Sequence, residues 1–84
     1  MKIEIEVSNP YVYYSKRTKK WWVNINIITE NKRIVKNFTN TKLNRAKIKF
    51  FKYLICDAGI IGEEIISRLR NKTMRFVYYE NVDE

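Results

Sequence analysis

The sequence predicts an α+β fold, with residues 1–84 as a single domain. The expected architecture is a four- to five-stranded, mainly antiparallel sheet with one main helix packed on one face and a short second helix, in the order ββββααβ. Three observations predict it. Apolar and polar residues alternate strictly over residues 2–7, and apolar residues fill every second position from Trp21 to Ile27 in the strongest strand segment at 21–29. An apolar stripe recurs at helical spacing through residues 42–57. A length of 84 residues supports one modest core and no more.

The elements follow in order. Ile3, Ile5 and Val7 form the inward side of a first strand, with Lys2, Glu4 and Glu6 in water. Ser8-Asn9-Pro10 is a turn signal. The aromatic and β-branched run Tyr11-Val12-Tyr13-Tyr14 reads as a second strand. Residues 15–20 are polar and basic and make an exposed hairpin tip. In the third strand Trp21, Val23, Ile25 and Ile27 share one face, and Trp22, Asn24, Asn26 and Ile28 share the other. A return strand spans residues 33–38. A two-residue loop at Glu30-Asn31 pairs Ile27 with Ile34 and Val23 with Phe38. A loop one residue longer would move Phe38 off the apolar face, so parity favours the even loop.

Thr39-Asn40-Thr41 offers N-cap chemistry before the main helix. Leu43, Ala46, Phe50, Phe51, Leu54 and Ala58 fall on its apolar face, and Lys42, Arg45, Lys49 and Lys52 on the opposite side. Lys47 lies near the apolar face and must snorkel. Gly59 and Gly62 interrupt this helix. A second helix is expected over residues 63–70, with Ile65, Ile66 and Leu69 inward and Glu63 and Glu64 at its N-terminus. Residues 73–80 complete the fold as a strand with Met74, Phe76 and Tyr78 on one face, and an acidic tail follows.

Charge is the main functional signal. The chain has 17 Lys+Arg against 9 Asp+Glu, a formal net charge of +8. Ile, Lys, Asn and Tyr are abundant, as A/T-rich codons would make them, so placement counts for more than the total. Between Lys16 and Lys52 the basic residues meet only Glu30. Codon usage does not explain that segregation. Phosphate backbones attract such clusters, and each neutralised phosphate releases counterions. The expected nucleic-acid contacts are Arg17, Lys19, Lys20, Trp22, Asn24, Asn26, Arg33, Lys36, Arg45, Lys49 and Lys52. Arg pairs with guanine and Asn with adenine in a major groove. Alternatively, Trp22 and nearby tyrosines stack unpaired bases. The bland reading of the same residues is a solvated, lysine-rich face.

Chemistry is poorly provided for. Without histidine there is no His-based acid–base catalysis and no Ser-His or Cys-His nucleophile. Lone Cys56 excludes an intrachain disulfide and a cysteine zinc site, and is read as a buried inert thiol. Glu30-Asn31-Lys32 reads as a turn, not a nuclease end. No metal or cofactor is expected, and the chain is read as a non-enzyme. No apolar run approaches 18 residues and the start is no signal peptide, which places the chain in the cytoplasm, the host's if it is viral.

Lys20-Trp21-Trp22-Val23, Asn31, Arg33-Ile34-Val35-Lys36, Phe38, Thr41-Lys42, Ala46 and Phe50 resemble the amino-terminal arm-DNA-binding domain of phage-type tyrosine recombinases. The resemblance covers about residues 20–54. It implies a three-stranded antiparallel sheet on one helix, with the sheet entering the major groove through Trp22, Asn24, Asn26, Arg33 and Asn37. The glycines usual in that family's turn are missing, and the chain adds a strand before and a helix and strand after. The role implied is an accessory or regulatory DNA-binding protein of a virus or mobile element, with DNA preferred over RNA.

Two other readings fit the residues. One is a protein-interaction module, such as a viral inhibitor of a host defence complex, docking on an acidic host protein. Ile60-Ile61 and Tyr78-Tyr79 would then supply a partner or homodimer patch. The other is a winged helix-turn-helix regulator, with Gly59 between two helices, Ile55 and Ile65 as anchors and the last strand as wing.

Overall fold

The computed structural model describes residues 5–30 and 32–79. The readings placed on residues 1–4 and on Asn31, the end of the last strand at Glu80 and the acidic tail lie outside the described residues. The elements are β1 (Glu6–Val7), β2 (Tyr11–Ser15), β3 (Lys20–Ile28), β4 (Arg33–Asn40), α1 (Leu43–Cys56), α2 (Gly59–Arg70) and β5 (Val77–Tyr79). The order is ββββααβ, and the fold class is α+β.

β3 organises the sheet because its alternation is the longest. β4 pairs antiparallel with it in the register that parity demands, Ile27 opposite Ile34 and Val23 opposite Phe38. β1 and β2 both pair antiparallel with β3. Ser8-Asn9-Pro10 is therefore not a reversal. Val7 faces Ile27 and Tyr11 faces Asn24, so three residues of this strand oppose two of β3. That is a bulge, and the Ser8 N–H still bonds the Asn26 carbonyl at 3.2 Å. Proline has no N–H for the ladder, which suits it to such a break. The extra residue switches parity, so odd-numbered Val7 and even-numbered Val12 both face inward.

β5 pairs in parallel with β2, making the five-stranded sheet mixed but mostly antiparallel. It is shorter than the 73–80 span suggests: Met74 is buried before it, and Phe76 packs on Phe50 and Phe51. Val12, Val23, Ile25, Ile27, Ala46, Phe50, Leu54, Ile65 and Met74 form the core between the sheet and the helices. Burying each large side chain contributes roughly 1.5–3 kcal/mol.

Three helical boundaries differ from expectation. β4 continues through Thr39 and Asn40, so these extend the strand and do not begin the helix. Lys42 is the N-cap and makes no side-chain cap bond; Asn40 Oδ1 accepts from the Lys42 N–H at 3.0 Å instead. α2 starts at Gly59, which leaves Glu63 and Glu64 beyond its first turn, away from the helix dipole's positive end. Glu64 pairs with Arg68 at 3.1 Å instead. Gly59 begins α2 at φ 58°, a conformation glycine adopts without steric cost. Gly62 lets the helices approach: a Cβ there would stand 1.9 Å from the Leu54 carbonyl oxygen.

Lys47 snorkels as its position requires, its Nζ 4.9 Å from the Phe76 and Tyr78 ring centroids and hydrogen-bonded to the Tyr78 hydroxyl. Cys56 is exposed, contrary to the buried reading, because it ends α1 on the side away from the sheet. Ile55 is 70% exposed, and β5 belongs to the main sheet. Of the two expected helix-turn-helix anchors Ile65 is buried and Ile55 is not, and the expected wing strand is part of the sheet. No helix among the described residues is long and apolar enough to cross a membrane.

Candidate nucleic-acid interface

The helices pack on the side of the sheet that carries Val23, Ile25 and Ile27. Among the described residues no helix or strand lies over the opposite side. Strand alternation puts Trp22, Asn24 and Asn26 of β3 on this outer face. Register adds Tyr11 and Tyr13 from β2, and Arg33, Val35, Asn37 and Thr39 from β4. β5 adds Tyr79 beside Tyr13.

The aromatic residues form one row. Trp22 stacks on Tyr13 at 5.9 Å between centroids and 8° between planes. Tyr13 stacks on Tyr11 at 6.0 Å, and Tyr11 meets Tyr79 edge to face at 5.6 Å. Trp22, Tyr13 and Tyr11 are half-buried, and Tyr79 is 50% exposed. Trp22 is further held by its indole N–H, which donates to Thr18 Oγ1 at 3.2 Å.

A polar chain runs beside this row. Arg33 Nη2 donates to Asn26 Oδ1 at 3.3 Å. Asn26 Nδ2 donates to Asn24 Oδ1 at 3.1 Å, and Asn24 Nδ2 donates to Asn37 Oδ1 at 2.5 Å. Asn24 is only 5% exposed. Both ends of its amide are engaged, so it positions its neighbours and does not itself face solvent. Asn37 and Arg33 are exposed.

The basic residues gather at one end. The β2–β3 tip carries Lys16, Arg17, Lys19 and Lys20, all exposed. Ser15 organises it: its hydroxyl accepts from the Thr18 N–H at 3.2 Å and its carbonyl from the Lys19 N–H at 2.7 Å. Asn40 pairs with Trp21, so β4 ends, and α1 begins, beside this same tip. That brings Lys42, Arg45 and Lys49 to the tip's end of the molecule. Lys49 Nζ donates to the Thr39 carbonyl at 2.8 Å. The described acidic residues lie elsewhere: Glu6 and Glu30 at the other end of β3, Asp57 at the far end of α1, and Glu63 and Glu64 in α2, whose neighbouring Gly62 packs on Leu54 near that same end.

Lys36 and Lys52 are less well placed. Lys36 pairs with Ile25 and projects to the helix side, its Nζ 5.4 Å from the Tyr53 ring centroid. With Lys32, Ile34, Tyr53, Asp57 and Ile61 it lines a groove of about 490 Å³. There burial first, and the Asp57 carboxylate second, raise the Tyr53 phenol above its ordinary 10.0. Lys52 lies a turn past Lys49 on α1, further from the tip.

Stacking on tyrosines near Trp22 was an expected alternative, but no tyrosine was singled out by position. Tyr11 and Tyr13 carried a usable signal, since alternation and a hairpin closing Ser15 on Lys20 set Tyr13 opposite Trp22. Tyr79 carried none, because its parallel pairing joins distant parts of the chain. Comparison with protein-family models, curated proteins and solved structures finds no match.

Proposed function

We propose that this protein binds single-stranded nucleic acid on the outer face of its sheet. Unpaired bases stack against the Trp22–Tyr13–Tyr11–Tyr79 row. Phosphates are held by the tip residues Lys16, Arg17, Lys19 and Lys20, with Arg45 and Lys49 beside them. The observation that carries the reading is an open aromatic row ending at a basic cluster with no described acidic residue at that end. Aromatic faces accept any base, and each stacked base contributes about 1–3 kcal/mol. A duplex hides its base faces, so stacking selects unpaired strands. Base readout by Asn24 in a major groove, as the arm-domain resemblance implies, is disfavoured by that residue's burial.

The test is a mobility-shift series with single- and double-stranded DNA and RNA at two salt concentrations. Single strands should bind at least tenfold tighter than duplexes, with affinity falling steeply as salt rises. Trp22→Ala should weaken single-strand binding by about 1–3 kcal/mol. Tighter duplex binding untouched by Trp22→Ala would restore the major-groove reading. Failure to bind any nucleic acid would leave an acidic protein as the partner of the basic end.

A further inference from the structure

The polar chain beside the aromatic row has a direction. Arg33 can only donate, so it forces Asn26 to present Oδ1 to it and Nδ2 to Asn24. Asn24 must then accept through Oδ1 and donate through Nδ2, and Asn37 must accept through Oδ1. One guanidinium thus sets the orientation of three amides, and the last of them, exposed Asn37, keeps its Nδ2 for a partner outside this chain of bonds. We infer that this relay makes Asn37 a hydrogen-bond donor to bound bases and gives the surface a preference for keto bases over amino bases.

The geometry places the donor where a base edge would be. Asn24 lies between Tyr11 and Asn37 across the sheet, and Trp22 between Tyr13 and Thr39. Asn37 is therefore a diagonal neighbour of Trp22, roughly 7–8 Å away and within reach of a base stacked there. Arg33, at the start of the relay, also presents donors only. On the edge that faces the major groove in a duplex, guanine offers only the acceptors O6 and N7 and thymine the acceptor O4, whereas adenine (beside its N7) and cytosine each place an exocyclic amino donor there. An amino group opposite Asn37 Nδ2 sets donor against donor. Uracil carries the same O4, so the preference extends to RNA.

This inference rests on the proposed single-strand binding, and its test separates the two. Equal-length single strands of alternating G and T and of alternating A and C are titrated into the full chain, with a G and U strand as the RNA arm. The keto strands should bind about 3- to 10-fold tighter, the effect of one neutral hydrogen bond. Asn37→Asp replaces the Nδ2 donor by an acceptor and should abolish or invert that ratio. Arg33→Glu places an acceptor at the start of the relay, reverses all three amides and should do the same from a distance. Both positions are exposed, and circular dichroism checks that each variant folds. Equal binding of the two strands by the unmodified protein, or a ratio unchanged in both variants, would overturn the relay while leaving single-strand binding intact. Binding to no strand would overturn both.

Discussion

The Lys49 ammonium donates to the Thr39 carbonyl at 2.8 Å, tying the basic side of α1 to the exposed edge of β4. The backbone of β4 is thereby shielded at the residue opposite Trp22. An ammonium has three donors, so two remain for a phosphate. Helix and sheet charges that could have pointed in opposite directions meet at this edge.

Replacing Lys49 by Ala should therefore weaken binding to all single strands alike. The slope of log affinity against log salt should fall by about 0.7, the value for one phosphate contact on a single strand. An unchanged slope would mean that Lys49 serves the strand edge alone.

Asn24 is the hub of the amide chain and is buried. Asn24→Ala should lower stability by about 0.5–1.5 kcal/mol for each of the two amide bonds lost, since water can replace the partner at exposed Asn37 and in part at half-buried Asn26. It should also erase discrimination between keto and amino strands, since nothing then orients Asn37. Urea denaturation and the strand titration measure the two effects separately.

The α1–α2 contact depends on a missing side chain. A Cβ at Gly62 would stand 1.9 Å from the Leu54 carbonyl oxygen and 2.8 Å from its carbon, both fixed backbone atoms. Gly62→Ala should cost about 1–3 kcal/mol through the forced separation of the helices. Alanine's helix propensity offsets about 1 kcal/mol at most. A variant as stable as the unmodified protein in urea would contradict this packing.

Tyr53 makes part of the fold's stability sensitive to alkaline pH. Its phenol is raised above 10.0 in the folded state, by burial first and by Asp57 second. Its contribution to stability is intact below 10.0 and is lost as pH rises through the folded value, because the unfolded chain ionises first. Tyr53→Phe should flatten that part of the stability–pH curve. Denaturation midpoints measured on either side of pH 10.0 would show the same decline in both proteins if this account is wrong.

Much of this was legible along the chain. The inward residues of β3, the register of the β3–β4 hairpin and the apolar stripe of α1 all follow from local periodicity. That periodicity works because a one-residue slip would bury Asn37 and expose Phe38. Lys47's snorkelling followed from its place at the edge of the apolar face. The bulge at Ser8-Asn9-Pro10 was not legible as such, because proline and asparagine signal a turn and an interrupted strand with the same residues. The early start of α2 was hidden by Gly59 and Gly62, which read as breaks. One serves the chain's direction and the other the distance between helices.

The sequence alone determined the order of the elements, the inward faces of β3 and α1 and the crowding of positive charge between Lys16 and Lys52, since these depend on neighbours a few residues apart. Only the tertiary structure decided that Tyr79 joins Tyr11, Tyr13 and Trp22 in one row, and that α1 begins beside the β2–β3 tip. It alone made Asn24 a buried relay instead of a free reader. Such arrangements arise from pairings between distant segments, and register along one strand carries no information about which strand will lie two places away.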